Sequence, residues 1–232
     1  MFLDRLAVTA DVHALRPDFA VCAIAITGAG NGAGDAVSEA WLRDAEAFAA
    51  PPADLPAHVT AWQEAFRAFG AKPQRTASSV EALWKRARAG ALPRVNWLVD
   101  LYNAVSVRHV LPVGGEDLER YTGPIRLIRA AGDESFDTVA SGAAVVEHPA
   151  SGEVVWTDVL GVTCRRWNWR QCTRTRLTGA STAILFLLER LEPMPLADLD
   201  AAGDALVAAV VARYPQAIVE RRRIGPGAET TP

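Results

Sequence analysis

The chain has 232 residues, half of them hydrophobic and 22% charged, with a formal net charge of −3. This describes a globular chain able to bury a core, and it excludes binding of nucleic acid by bulk positive charge, so any such contact has to come from a local patch. Three cysteines, Cys22, Cys164 and Cys172, form neither a secreted disulfide framework nor a zinc spacing, so reduced thiols, no metal and no cofactor are expected. The start lacks a basic region followed by a long apolar run, and the longest apolar stretch, Phe19 to Thr27, is too short to span a bilayer. A soluble cytoplasmic protein with no membrane partner is the expectation. Lys72 and Lys85 are the only lysines, so nearly all positive charge is arginine.

In chain order, residues 5–9 predict a short strand and FAVCAIAIT (19–27) a fully buried one. The loop GAGNGAG then leads into a helix over 35–49. Its glycines, Gly28, Gly30, Gly32 and Gly34, match neither G-x-G-x-x-G nor a P-loop, which favours a flexible loop over a phosphate cradle. PPADLP (51–56) predicts a turn and 57–69 a helix. Ser78-x-x-Glu81 reads as a capping box opening a helix that stops at Gly90. The next helix runs from Val95 to about Val107, with an extended exit and a Gly-Gly turn at Gly114–Gly115. These short, closely linked helices are expected to pack as one layer.

Beyond Gly115 the texture changes to runs rich in Val, Ile, Thr and Trp: 125–130, 143–148, 153–164 and 184–191. Ser151–Gly152 is a hairpin signal. Leu196 to Tyr214 reads as an amphipathic helix, 217–223 as a last strand, and 225–232 as a disordered tail. Helices first and strands later, without repeat or linker, indicate an α+β fold with one domain over residues 1–224.

Two stretches carry candidate chemistry. Asn96, Asp100 and Asn103 follow at i, i+4 and i+7 and so share one side of their helix, where they make either a polar cleft floor or bonds to neighbouring loops. CRRWNWRQCTRTR (164–176) interleaves Arg165, Arg166 and Arg170 with Trp167, Asn168 and Trp169. Read as a strand, it puts both tryptophans on one face and Arg166, Asn168 and Arg170 on the other. Guanidinium groups beside indole rings suit the phosphates and bases of a nucleic-acid end, and a strand with a tryptophan-lined core face suits the pattern equally. Of the four histidines, 13, 58, 109 and 148, only His109 lies near the other polar residues, and none forms a catalytic or metal pattern.

VNWLVDLYN (95–103) resembles the pattern Ile-Asn-x-Val-Val-Asp-x-Thr-Asn of the editing domain, called B3/B4, of the β subunit of bacterial phenylalanyl-tRNA synthetase. Asn96, Val99, Asp100 and Asn103 match, and Tyr102 replaces the threonine. PVGGEDL (112–118) is similar to the later Pro…Asp-Leu element. EVVWTDVLGVTCRRWNWRQC looks like the corresponding strands of the free-standing form. The resemblance covers about residues 75–192. It implies a mixed β-sandwich core with flanking helices and a site that, in the synthetases, hydrolyses tyrosine wrongly attached to the phenylalanine tRNA. The synthetases' histidine, in a Pro-Leu-His-Ala-Phe-Asp run, has no counterpart near Gly114. A catalytic core, anticodon-binding parts and an ATP signature are absent, so the chain is not by itself a complete tRNA ligase.

Two readings follow. In the first, the protein binds the tRNA 3′ end or aminoacyl-tRNA, not DNA, and hydrolyses mischarged aminoacyl-tRNA in trans. Asn96, Asp100, Asn103, Gly114 and Gly115 line the pocket, and Arg165, Arg166, Trp167, Asn168, Trp169 and Arg170 hold the terminal nucleotides. An aminoacyl ester is already reactive, so a placed water and donors for the oxyanion suffice. In the second, a non-catalytic ligand-binding or scaffold protein recognises a free amino acid or a protein partner. The missing histidine and the acidic net charge favour the second.

Overall fold

The structure is a computed structural model and describes residues 2–50 and 55–226. Positions 51–54 of the expected turn and 227–232 of the expected tail lie outside the described residues. In chain order the elements are β1 (Leu6–Val8), α1 (Ala10–Leu15), β2 (Ala20–Thr27), α2 (Ala36–Ala49), α3 (Ala57–Ala68), α4 (Ser79–Arg88), α5 (Trp97–His109), β3 (Val113–Asp117), β4 (Ile125–Arg129), β5 (Phe136–Ala140), β6 (Ala143–Glu147), β7 (Val154–Asp158), β8 (Gly161–Arg165), β9 (Arg170–Gln171), β10 (Ala183–Arg190), α6 (Leu196–Arg213) and β11 (Ile218–Ile224).

Two sheets form the frame. One is mixed, in the order β1-β4-β7-β8-β9, with β1 parallel to β4 and the rest antiparallel. The other is antiparallel, in the order β11-β2-β10-β3. Their facing sides share one core: Val21, Ala23, Leu185 and Leu187 of the second sheet meet Ile125, Leu127, Val154 and Trp156 of the first. The outer face of the second sheet carries α5 and α6, through Ile24, Ile26, Phe186 and Leu188 against Leu98, Leu101, Leu199 and Leu206. β2 and β10 are therefore buried on both faces, which is why FAVCAIAIT and AILFLLER read as continuous rather than alternating apolar runs. The α+β sandwich with flanking helices is the architecture expected.

Several local expectations are corrected. Gly114–Gly115 is not a turn: both residues lie inside β3, paired with Leu187 and Phe186 of β10. EVVWTDVLGVTC is a hairpin, β7–β8, that reverses at Val159–Leu160, where the Asp158 carboxylate accepts from the Leu160 N–H at 2.9 Å and Asp158 pairs with Gly161. Ser151–Gly152 joins β6 to β7, which do not pair. The Ser-Gly pair that does close a hairpin is Ser141–Gly142, both at positive φ, joining β5 to β6. β5 itself was not expected. α2, α4 and α5 pack together around Leu42, Leu83 and Ala104, whereas α3 leaves that layer and buries Val59, Trp62 and Phe66 in the inter-sheet core. Asn96 is the N-cap of α5 rather than part of it, its side chain accepting from the Val99 N–H at 3.0 Å.

His58 joins three elements. Its Nδ1 lies 2.7 Å from the Val110 carbonyl, and its Nε2 accepts from the Leu191 N–H at 3.0 Å. The second contact requires a bare Nε2, so the ring is the neutral Nδ1–H tautomer, and burial pulls its pKa to about 4.

Candidate active-site cleft

A cleft of about 270 Å³ opens where α4 and α5 cross the end of the sandwich. Its floor is the inner face of the β3–β10 pair. Leu185 pairs with Glu116 and Leu187 with Gly114, so the period of two puts Gly114, Glu116, Leu187 and Glu189 on one side of the sheet. Trp156, Cys164 and the Trp167–Gln171 segment form the opposite wall; Tyr102 and Asn103 of α5, with Leu83 and Arg86 of α4, close the mouth. Gly114 carries no side chain over the floor, and that leaves the space.

Two carboxyl groups are buried in this cleft, Glu116 and Glu189, each 2% exposed. Desolvation raises Glu116 to about 7, although the Thr175 hydroxyl donates to it and the Tyr121 hydroxyl stands alongside. Desolvation likewise raises Glu189 to about 8, against the opposing effect of Asn168 Nδ2 and Trp156 Nε1, which donate to it at 2.8 and 2.7 Å. No cation is paired with either group among the described residues, so burial prevails over these hydrogen bonds. The Asn103 amide, 6% exposed, lines the cleft without a hydrogen-bond partner among the described residues. The Asn168 Oδ1 is buried and unpartnered as well.

The candidates on α5 divide. Asn103 and Gly114 line the cleft; Asn96, Asp100 and Gly115 do not. Asp100 is 2% exposed and turns back along its own helix, accepting from the Val95 N–H at 2.8 Å. The glycine loop covers it: a Cβ on Gly34 would lie 2.8 Å from Asp100 Oδ2, and Asn31 Oδ1 accepts from the Leu98 N–H at 3.2 Å. The loop thus anchors the start of α5. Gly115 faces the other way, where a Cβ would meet the Tyr102 ring at 2.7 Å. The contact lets α5 approach β3 closely. His109 lines a separate hollow with Asp44 and Arg108.

The arginine–tryptophan stretch is not one continuous strand: residues 166–169 form a tight turn between β8, which ends at Arg165, and β9, which begins at Arg170. Arg166 and Trp167 both have positive φ, 46° and 66°, a conformation that costs about 1–2 kcal/mol for each L-residue. Full burial of the Trp167 indole offsets this cost. The ring packs edgewise on Phe19 at 5.0 Å and Trp62 at 5.3 Å, so it is a core residue whose border only touches the cleft. Arg165 is also internal. Its guanidinium grips Glu153 with two bonds of 2.9 Å and reaches Glu147 at 2.8 Å. Neither side chain is placed to hold a terminal nucleotide. Arg174 is similarly paired with Asp158. Asn168, Trp169 and Arg170 do line the cleft, and Arg166 stacks over Trp169 at 4.3 Å.

Glu116 and Glu189 were missed as candidates. Glu116 sits beside the glycines already singled out, and Glu189 is a charge inside an apolar strand sequence, which is the signal that marks a buried ionisable group. Among the described residues no cluster of three or more His, Cys, Asp or Glu is arranged to hold a metal, and no helix is long and apolar enough to cross a membrane.

A family model, that of the B3/4 domain, matches residues 61–200, a stretch that contains every residue lining the cleft. No curated protein sequence matches the chain. Among solved structures it is similar to an N-terminal fragment of the phenylalanyl-tRNA synthetase β-subunit from Pyrococcus horikoshii, with a TM-score of 0.44 and 11% identity, over 92% of this chain and 49% of that one. The chain spans about half the length of that fragment.

Proposed function

Because the chain belongs to the B3/4 domain family, whose segment holds the whole cleft, we propose that it receives the aminoacyl end of a charged tRNA and hydrolyses the ester in trans. The observation that carries this reading is the pair of buried, cation-free carboxyl groups, Glu116 and Glu189, in a tryptophan-walled cleft of amino-acid size. An α-ammonium group supplies the counter-charge that the cleft lacks, and Glu189 is the group to hold it. Glu116, with a pKa of about 7, is matched to taking a proton from water at neutral pH.

In the proposed reaction that water forms a bond to the ester carbonyl carbon, with the Asn103 amide donating to the developing oxyanion. The carbon–oxygen bond to the ribose then breaks. The ribose oxygen recovers the proton from Glu116, leaving a free amino acid and an uncharged tRNA. The test is a panel of mischarged tRNAs. Release above buffer for at least one amino acid is expected, with Glu116→Gln slower by about 100-fold although folded and no less stable than the wild type. No release for any amino acid refutes the hydrolase.

Arg86 favours a second reading, a receptor for a free amino acid. It stands exposed at the mouth with no carboxylate partner among the described residues, and a free amino acid carries a carboxylate that an ester lacks. Arg86→Ala weakening free amino-acid binding while leaving ester turnover unchanged would assign the cleft to the free ligand.

A further inference from the structure

Across the Arg166–Trp169 turn from the cleft lies a second pocket, about 240 Å³, between the end of α3 and the β6–β7 connection. Its walls bring together Lys72, Arg75 and Arg166 with Phe69, Thr76 and Glu153. We propose that this pocket is an anion site that takes a phosphodiester group of an RNA.

Charge accounting supports it. Glu153 is the one carboxylate among these wall residues, and it is already committed. Its Oε1 accepts from Arg165 Nε at 2.9 Å and the Arg166 N–H at 3.2 Å; its Oε2 accepts from Arg165 Nη2 at 2.9 Å and the Ala150 N–H at 3.3 Å. Arg165 grips Glu153 with two of these bonds and also reaches Glu147 at 2.8 Å, so Glu153 is occupied from within the fold. Arg166 reaches Glu153 only at 3.7 Å, and no carboxylate among the described residues pairs with Lys72 or Arg75. Two cations, Lys72 and Arg75, thus face the space with no carboxylate partner among the described residues, and Arg166, within 3.7 Å of Glu153, adds a third positive wall. Lys85, the other lysine, is paired with Glu81 at 2.6 Å, so Lys72 stands apart in this respect.

The presentation is built into the backbone. Gly70 at φ +90° ends the α3 region and turns the chain back. The Lys72 carbonyl then accepts from the Arg75 N–H at 2.8 Å, the Thr76 N–H at 3.0 Å and the Thr76 hydroxyl at 3.2 Å. This knot fixes the two basic residues three apart on one turn. Arg166 is held from the other side by its stack on Trp169. A guanidinium pair with an ammonium suits a tetrahedral oxyanion, which accepts from several directions at once. Trp169 lines the cleft and Arg166, stacked on it, lines the second pocket, so a chain whose end enters the cleft runs toward the second pocket. That last step rests on the reading of the cleft; the anion site does not.

The experiment is fluorescence anisotropy of the full chain with a labelled RNA minihelix ending in CCA, across a salt series, and inorganic phosphate as competitor. Lys72→Ala/Arg75→Ala is expected to weaken RNA binding at least tenfold and to flatten the log–log salt dependence by about 0.7–0.9, the loss of one phosphate contact. Arg43→Ala/Arg108→Ala removes the same charge from the helical face and should shift affinity by less than twofold. Turnover of a small aminoacyl ester without phosphates should be unchanged in both. If the wild type hydrolyses no ester yet the pocket variant loses RNA, the cleft reading fails and the anion site stands. The proposal is overturned if the wild type does not bind the minihelix, if a folded pocket variant binds as the wild type does, or if the two double variants weaken equally.

Discussion

Replacing Glu189 by Gln tests whether the cleft carries a neutral carboxyl group. Burial raises this acid from 4.5 to about 8. A raised acid binds its proton more tightly in the folded chain than in the unfolded one. Its contribution is therefore most favourable below about pH 4.5, is lost as pH rises, and reaches its full cost near pH 8. At about 1.4 kcal/mol per pH unit, the loss between those limits is on the order of 3–5 kcal/mol. Gln has the same shape and no charge. Its carbonyl keeps the Trp156 Nε1–H bond, and its amide can donate to Asn168 Oδ1, which lacks a partner, once that side chain rotates. Glu116 titrates in the same direction and is present in both proteins, so it enters the difference only through its repulsion of the Glu189 carboxylate. Urea unfolding at pH 5, 6.5, 8 and 9 is the assay. The variant should match the wild type at pH 5 and exceed its stability by about 3–5 kcal/mol at pH 9. A difference that stays constant across that range refutes the reasoning, because it means Glu189 is ionised without a ligand.

The same carboxyl gives a binding signature. If an α-ammonium pairs with Glu189, amino-acid binding at pH 7 should release up to one proton, read by calorimetry in buffers of different ionisation enthalpy; no buffer dependence argues against that contact. Arg165→Leu leaves Glu153 buried without its partner and should cost about 3–5 kcal/mol in urea unfolding, far more than an exposed ion pair would. Gly115→Ala should destabilise by about 1–3 kcal/mol, since the added carbon meets Tyr102 at 2.7 Å and Leu177 at 3.1 Å and forces α5 away from β3. His58 titrates in the opposite sense to Glu189. Its folded pKa of about 4 lies below the ordinary 6.5, so its contribution is present above pH 6.5 and is lost as pH falls toward 4. His58→Asn should therefore flatten the acid limb of the stability profile.

Elements whose burial pattern is local were legible from adjacent residues alone. The continuous apolar runs at 20–27 and 183–190, the helical periodicity over 36–49 and 196–213, and the Ser78 cap each follow from a few adjacent residues. Of the five pocket positions expected once the resemblance was stated, Asn103 and Gly114 line the cleft and Asn96, Asp100 and Gly115 do not. The partners of the polar groups come instead from the packing of distant segments. A periodic pattern records which face is buried but not which donor or acceptor arrives there from elsewhere in the chain. Asp100 was on a suitable helix face, yet the Val95 N–H and the Gly34 loop claim it. The arginines at 165 and 174 resembled a basic patch until Glu153 and Asp158, brought in by β7, neutralised them. Glu116 and Glu189 became a site because β3 and β10 pair side by side under tryptophans from the other sheet. Desolvation, which sets the protonation of both, exists only once those layers have closed.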